Sequence, residues 1–552
     1  MSNARHSASS GQPWRPDRRL LLQFSTLGLG ALAVPGAAQS LRQSRGFTHG
    51  VASGEPSATS VLLWTRYIGA GPESRLIAEL SETIDFARPV AGGSVTASEA
   101  RDHTAKLTVT GLTPGRWYYY RFVAPDGSTS ATGRTRTLPQ GDVAQFNLGV
   151  FSCSNLGFGF FNAYAHAAMA GDIDLAIHLG DYLYEYAMGT YPLRDRHVAG
   201  REFLPQTEII QLADYRLRYA SYRADPALQR IHQCLPMLAQ PDDHEFANDA
   251  WSGGAENHSP DSEGDWHLRK AAALQAWHEW MPVSDAPFRS YEVGTLATIA
   301  MPETRVTGRM QQLELHPELL SEAERGAALT RFRDTVWNAS DRTLLGMEQE
   351  TLLGTTLATS ARNGTRWQVL AQQVIMGSIF QPQDTASWFP ANAPDYILRR
   401  VEAGAAAAAA GLPFNLDAWD GYPAARARLL SAAQSAGANL VTLSGDSHNG
   451  WAFDLAHDGR PAGVEFAGQS VTSGGFESYT PVAPARVATA LRQANPGLKW
   501  VDTSRRGYMK VSLTPDRASS TFRLWDHVRT ADAAMISEVT QSVDHGRNRL
   551  ND

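Results

Sequence analysis

Cysteine is scarce: the 552 residues hold two, Cys153 and Cys234, too few for a disulfide-built fold. One bridge or two free thiols are the alternatives, and stability has to come from a buried core. No block of Lys or Arg follows the N-terminal segment and the net charge is only −7, which argues against nucleic acid or an anionic membrane as partner. There is no G-x-S-x-G, no H-E-x-x-H, and in the mature chain neither a P-loop nor a G-x-G-x-x-G after a strand, so serine-hydrolase, zinc-protease and nucleotide chemistry lack support. The apolar run from Leu20 to Val34 is short and Gly-rich, which disfavours a stable membrane span.

What is present describes a globular protein of two or more domains: 43% hydrophobic residues, 19% charged, 14 Trp and 17 Tyr. Arg18 and Arg19 before that apolar run, with Gly36 and Ala38 after it, resemble a twin-arginine export signal over residues 1–38, against an ordinary secretory signal or an uncleaved anchor. The expected destination is the periplasm or the exterior, with the twin-arginine export machinery as a partner. Residues 44–138 alternate apolar and polar positions around turns such as Leu112-Thr113-Pro114-Gly115, the pattern of a small antiparallel sandwich that looks fibronectin type III or Ig-like. From residue 144 to about 530 the pattern becomes strand, helix, strand, so the fold class is α/β with buried strands. Cys234 falls mid-helix in this reading, and the polar residues 531–552 read as a frayed tail.

Ligands of α/β sheets gather at the carboxyl ends of strands, where loops converge on rigid supports. Four apolar runs here end in groups able to bind a metal: Cys153 and Asn155 in "FSCSN", Asp181 and Tyr184 in "HLGDYLYEY", Asp242, Asp243, His244 and Glu245 in "QPDDHEF", and Asp446 and His448 in "LSGDSHNG". Alone, each is ordinary turn chemistry or polar surface. Brought to one edge, so many carboxylates with a thiol, a phenol and two imidazoles would repel or stay undersatisfied without cations.

These motifs in this order, with "DAWDGYPAARARLL" before the last, resemble the set of the PhoD-type alkaline phosphatases within the calcineurin-like metallophosphoesterases. The resemblance spans nearly the whole chain and implies a metallophosphoesterase β-sandwich flanked by helices. It also implies hydrolysis of small phosphate monoesters by a metal-bound water or hydroxide, with a phosphodiesterase or phospholipase D-like activity as the alternative. Where the family often has Asp-Thr-Arg, this chain reads Glu303-Thr304-Arg305, which removes that aspartate.

Under the resemblance Asp181 bridges two ions, since a carboxylate can span the roughly 3.5–4 Å of two-metal hydrolysis. Tyr184 curls back onto one of them. Its phenolate and the thiolate of Cys153 favour Fe3+, with His448 completing that site. Asp243 and Asp446 hold one or two Ca2+, an identity taken from the family. His244 either gives a proton to the leaving oxygen or steadies the phosphate, with orientation of a ligand as the plainer role. Asn155 is expected to touch phosphate or metal, and Glu245 to pin its loop.

Overall fold

A computed structural model of the chain describes residues 44–316, 320–390 and 395–552. Residues 1–38, the expected export signal, lie outside them. The strands form because their apolar runs can be buried on both faces. In Phe146–Phe151, Phe146, Leu148 and Val150 point into one core and Phe151 into another. Leu175–His178 repeats this, with Leu175 and Ile177 on one side and Ala176 on the other. Such two-sided burial is what parallel strands under helices require.

Among the described residues the strands assemble into one nine-stranded, one seven-stranded and one four-stranded sheet. One half of the first carries Phe146–Phe151, Leu175–His178 and Met237–Ala239 side by side and parallel. The second carries Ala297–Met301, Trp367–Ala371, Leu440–Ser444 and Arg460–Ala467, also parallel. Their inner faces meet through Leu148, Ile177, Val369, Val441 and Phe466. Helices Asn162–Ala170, Pro226–Cys234 and Trp266–Trp280 cover one outer face, and Gly346–Arg362 and Pro423–Ala436 the other. The result is a sandwich of two sheets between two helical layers. Fully burying each such Val, Leu or Ile contributes on the order of 2 kcal/mol.

The N-terminal segment is not a free-standing module. Gly46–Gly54, Ser60–Ile68 and Thr104–Thr110 extend the nine-stranded sheet, joined to it where Gly54 pairs with Met237. Glu73–Ser81, Pro89–Ser98, Trp117–Val123 and Gly133–Arg136 form the separate four-stranded sheet. Val61, Leu63, Leu76, Tyr120 and Phe122 make a core between the two. Buried Trp64 donates its Nε1–H to Glu279 O at 2.7 Å, tying this layer to the helical one.

Two expectations are corrected. Residues 531–552 do not fray throughout: Ser537–Asp544 pairs along its whole length with Arg517–Trp525 as the edge strand of the large sheet. It is polar because one side of an edge strand meets water, while Val543 is buried. Cys234 is the last residue of its helix, not a middle one, because Pro236 forces Leu235 into an extended conformation. Both thiols are free and buried.

The core also sets a pH limit. His178 is fully buried; its Nδ1 accepts from Gly180 N at 3.3 Å, and its Nε2 lies 2.8 Å from Tyr164 Oη. Burial holds it neutral, with its pKa pushed down to about 3. The unfolded chain takes up this proton near pH 6.5 and the folded chain does not. Stability is therefore full above about pH 6.5 and declines as pH falls toward 3, on the order of 1.4 kcal/mol per pH unit from this group. Thermal unfolding followed between pH 7 and pH 4 should show that decline, with a shallower slope in His178→Gln.

Candidate metal centre

Five strand ends open onto one spot. Two close approaches bring their loops together, and each depends on a glycine. A Cβ on Gly180, whose φ is +96°, would lie 2.3 Å from Asp242 Cβ, and one on Gly445 would lie 2.6 Å from Ser152 Cβ. Each Gly-Asp pair in the sequence is thus a packing residue followed by a functional one. Cys153, Asp181, Asp249, Asp446 and His448 all hold positive φ, between 52° and 63°. Such a concentration of left-handed non-glycine residues is characteristic of sites whose geometry is imposed by the surroundings.

The side chains form three linked groups whose ligating atoms lie within 4.8 Å of one another: Cys153, Asp181 and His448; Asp181, Asp243 and His244; Asp242, Asp243 and Asp446. Asp181 belongs to the first two and Asp243 to the last two. Tyr184 joins the first, its hydroxyl donating to Asp181 Oδ2 at 2.9 Å and lying 3.3 Å from His448 Nε2. His448 Nδ1 donates to Gly474 O at 2.9 Å. That bond leaves the Nε2 lone pair facing Asp181 and Tyr184, the tautomer a metal needs. Ser473 Oγ donates to the Tyr184 oxygen at 2.7 Å.

The donor set fits cations. Asp181 Oδ1, Asp242 Oδ2 and Asp243 Oδ1 are buried and have no hydrogen-bond partner. Left so, each costs on the order of 1–3 kcal/mol. Burial first, then neighbouring carboxylates, push the Cys153 thiol and the Asp446 carboxyl well above their ordinary ranges. Asp181 is raised too, by burial above all, although His244 opposes the shift. Positive charge among these groups would reverse the penalty.

His244 stands beside them, its Nδ1 2.7 Å from Glu185 Oε2 and its ring 4.2 Å from that of Tyr184. Burial favours the neutral imidazole, but Asp181, Asp243 and Glu185 outweigh it and raise the pKa well above the usual value. Glu245 accepts from the backbone N–H groups of Asp181 (3.1 Å), Tyr182 and Asp242 (2.7 Å), tying two of the loops together.

Asn155 lies in the same loop as Cys153, two residues further on. Its Oδ1 accepts from Gly157 N at 3.0 Å and its Nδ2 donates to Tyr191 O at 3.2 Å. The amide is engaged in shaping the loop after Cys153.

Arg305 is a residue that sequence reasoning passed over. Its guanidinium is fully buried, pairs with Asp242, reaches Asp417 Oδ2 at 2.7 Å and Asp446 Oδ1 at 3.0 Å, and lies 3.4 Å from Asp243 Oδ1. Glu303, in the position of the missing aspartate, accepts from the N–H groups of Arg305 (2.6 Å), Val306 and Thr307 (2.7 Å), and so fixes the turn that presents Arg305. The signal was the Glu-Thr-Arg after Met301, where attention to the lost aspartate hid the arginine. Asp249, pushed up to about 8 by burial and then by Asp417 and Asp243, also borders the cluster.

With this geometry in hand, the similarities to known proteins are informative. The family model described as PhoD-like phosphatase matches residues 148–522, and that of the PhoD-like phosphatase N-terminal domain matches residues 33–139. Alkaline phosphatase D of Bacillus subtilis (strain 168) is 31% identical over 520 residues, covering 90% of this chain and 80% of that protein. A solved structure of PhoD superposes with a TM-score of 0.75 at 29% identity, covering 92% of each chain. A purple acid phosphatase from yellow lupin (Lupinus luteus) seeds shares the fold at a TM-score of 0.53 and 12% identity, over 90% of this chain and 74% of that one.

Proposed function

The chain belongs to the PhoD-like phosphatase family, and on that premise we propose that this phosphatase is an exported, metal-dependent enzyme cleaving phosphate monoesters. Cys153, Asp181, Tyr184 and His448 would hold Fe3+, a hard ion matched to a phenolate and carboxylate set. Asp243 and Asp446, with Asp181 shared, would hold one or two Ca2+ through oxygen. When bound, such cations neutralise phosphate oxygens and lower the pKa of water.

The chain's own groups supply the rest. His244, protonated and held by Glu185, donates its Nε2 proton to the leaving oxygen as the P–O bond breaks. Glu185 sets the ring's direction by accepting from Nδ1, and Asn248 N and Asn257 Nδ2 donate to the other Glu185 oxygen at 2.8 and 2.9 Å. Arg305 balances four carboxylates from behind the cluster, so their charge need not be met by cations alone. Residues 1–38 serve in this reading as the twin-arginine signal, 44–138 as a fibronectin type III or Ig-like sandwich and the residues from 144 on, including the edge strand Ser537–Asp544, as the catalytic domain. The destination is the periplasm or the exterior.

One observation carries the reading: three buried carboxylate oxygens without a hydrogen-bond partner lie inside linked groups that also contain a thiol, a phenol contact and a correctly oriented imidazole. Charge transfer from Tyr184 and Cys153 to Fe3+ should colour the purified protein. Tyr184→Phe is expected to bleach or shift the visible band, and an unchanged spectrum would exclude Tyr184 as a ligand. An aryl phosphate should be turned over faster than its bis-aryl diester; the reverse order would favour a phosphodiesterase.

A further inference from the structure

A cavity of about 830 Å³ is used by none of the reactions above. Its size is that of a small-molecule site. The walls are largely apolar, including Leu315, Ile379, Trp388, Leu412, Phe414 and Phe476, while Glu314, His316 and Arg400 at its edge are exposed. Phe414 is 55% exposed and Tyr479 64%, so two large aromatic side chains of the lining stand in water. Phe414 and Phe476 meet edge to face with ring centroids 6.4 Å apart.

Three connections tie the cavity's wall to the catalytic groups. Asn415, in its wall, accepts from Asp417 N at 2.8 Å, and Asp417 pairs with Arg305 at 2.7 Å. Phe476 follows by two residues Gly474, whose carbonyl accepts from His448 Nδ1. Tyr479 faces Tyr191, whose hydroxyl lies 3.3 Å from His448 Nδ1. A small polar ester would leave this apolar space wet.

We propose that the cavity is a subsite for an apolar alkyl or aryl arm of the ester, and that the preferred substrates are amphiphilic phosphate monoesters. The inference rests on the phosphatase reading. In the reaction the oxygen of water bonds to phosphorus, the bond from phosphorus to the arm's oxygen breaks, and that oxygen takes a proton. The products are inorganic phosphate and an apolar alcohol or phenol whose carbon chain lay along Phe414 and Phe476.

The test is a series of n-alkyl phosphates, methyl through octyl, assayed on the metal-loaded full-length protein. Burial of each methylene should raise kcat/KM by about two- to fourfold until the cavity is filled. Octylphosphonate should inhibit on the order of a hundredfold more tightly than methylphosphonate. Val401→Trp, which fills the cavity from helix Asp395–Ala409, should cut the octyl-to-methyl ratio of kcat/KM about tenfold. Phe414→Ser should lower the same ratio and, being at an exposed position, should still fold. A flat series with methyl phosphate turned over, or a ratio unchanged in both variants, would overturn the inference and leave the phosphatase reading standing. If no ester were hydrolysed, the phosphatase reading itself would fail. Calorimetric binding of octylphosphonate no tighter than that of methylphosphonate would then overturn the subsite as well.

Discussion

Asp181→Asn is expected to lower kcat on an aryl phosphate by about three orders of magnitude or more and to strip the purified protein of bound metal. The change keeps the shape of the side chain and removes its charge. Asp181 is shared between two of the candidate ligand groups, and one of its oxygens has no hydrogen-bond partner. Among the described residues no other buried carboxylate stands at the same junction with Cys153 and His448. Stability should move the opposite way in the metal-free protein. Burial, then Asp243, Asp242 and Glu245, disfavour the ionised form of Asp181 against His244 alone. Neutralising it relieves that conflict, so Asp181→Asn should melt higher than the wild type after metal removal, and lower than the wild type when metals are supplied. Paired melting curves with elemental content check both signs, and a metal-replete, active Asp181→Asn would exclude the carboxylate as a ligand.

His244→Ala should lower kcat by about 10²–10⁴-fold for alkyl phosphates, whose leaving alcohols need a proton. Aryl phosphates with acidic leaving phenols should suffer far less, because their oxygen departs as an anion. A residue that merely steadied the phosphate would depress both classes alike, so the ratio between them is the informative quantity. The pH dependence has a definite sign. Glu185, 2.7 Å from Nδ1, stabilises the protonated imidazole even where cations neutralise Asp181 and Asp243, so the required acid form is lost as pH rises. Glu185→Gln removes one of the stabilising charges at 2.7 Å and should move that alkaline limb of kcat for alkyl esters to lower pH. An unmoved limb would detach Glu185 from His244.

Much of the site could be read from the chain because parallel strands announce themselves. "LAIH" and "LVTLS" are apolar on both faces, so the first polar residues after them had to stand at the sheet's carboxyl edge. Cys153, Asp181, Asp243, Asp446 and His448 follow such runs, and Tyr184 is three residues from Asp181. Asn155 shows what that logic leaves open: an Asn after a strand can serve a ligand or the local turn, and here its amide bonds to Gly157 and Tyr191. Arg305 and Asp417 were harder still. They arrive from segments between strands, and nothing in local periodicity says that both turn inward to meet four strand ends. The edge strand Ser537–Asp544 was hidden by its own polarity. The continuity of the N-terminal layer with the catalytic sheet hangs on one pairing, Gly54 with Met237, which no local pattern encodes.

The central claim is that cations held by loops from separate strands carry the hydrolysis. Elemental analysis of the purified protein, assayed in parallel for phosphatase turnover, tests it most directly. About one iron and one to two calcium per chain are expected, with activity lost on chelation and regained only when both are returned. Undiminished turnover in protein holding less than about a tenth of an equivalent of any metal would contradict it.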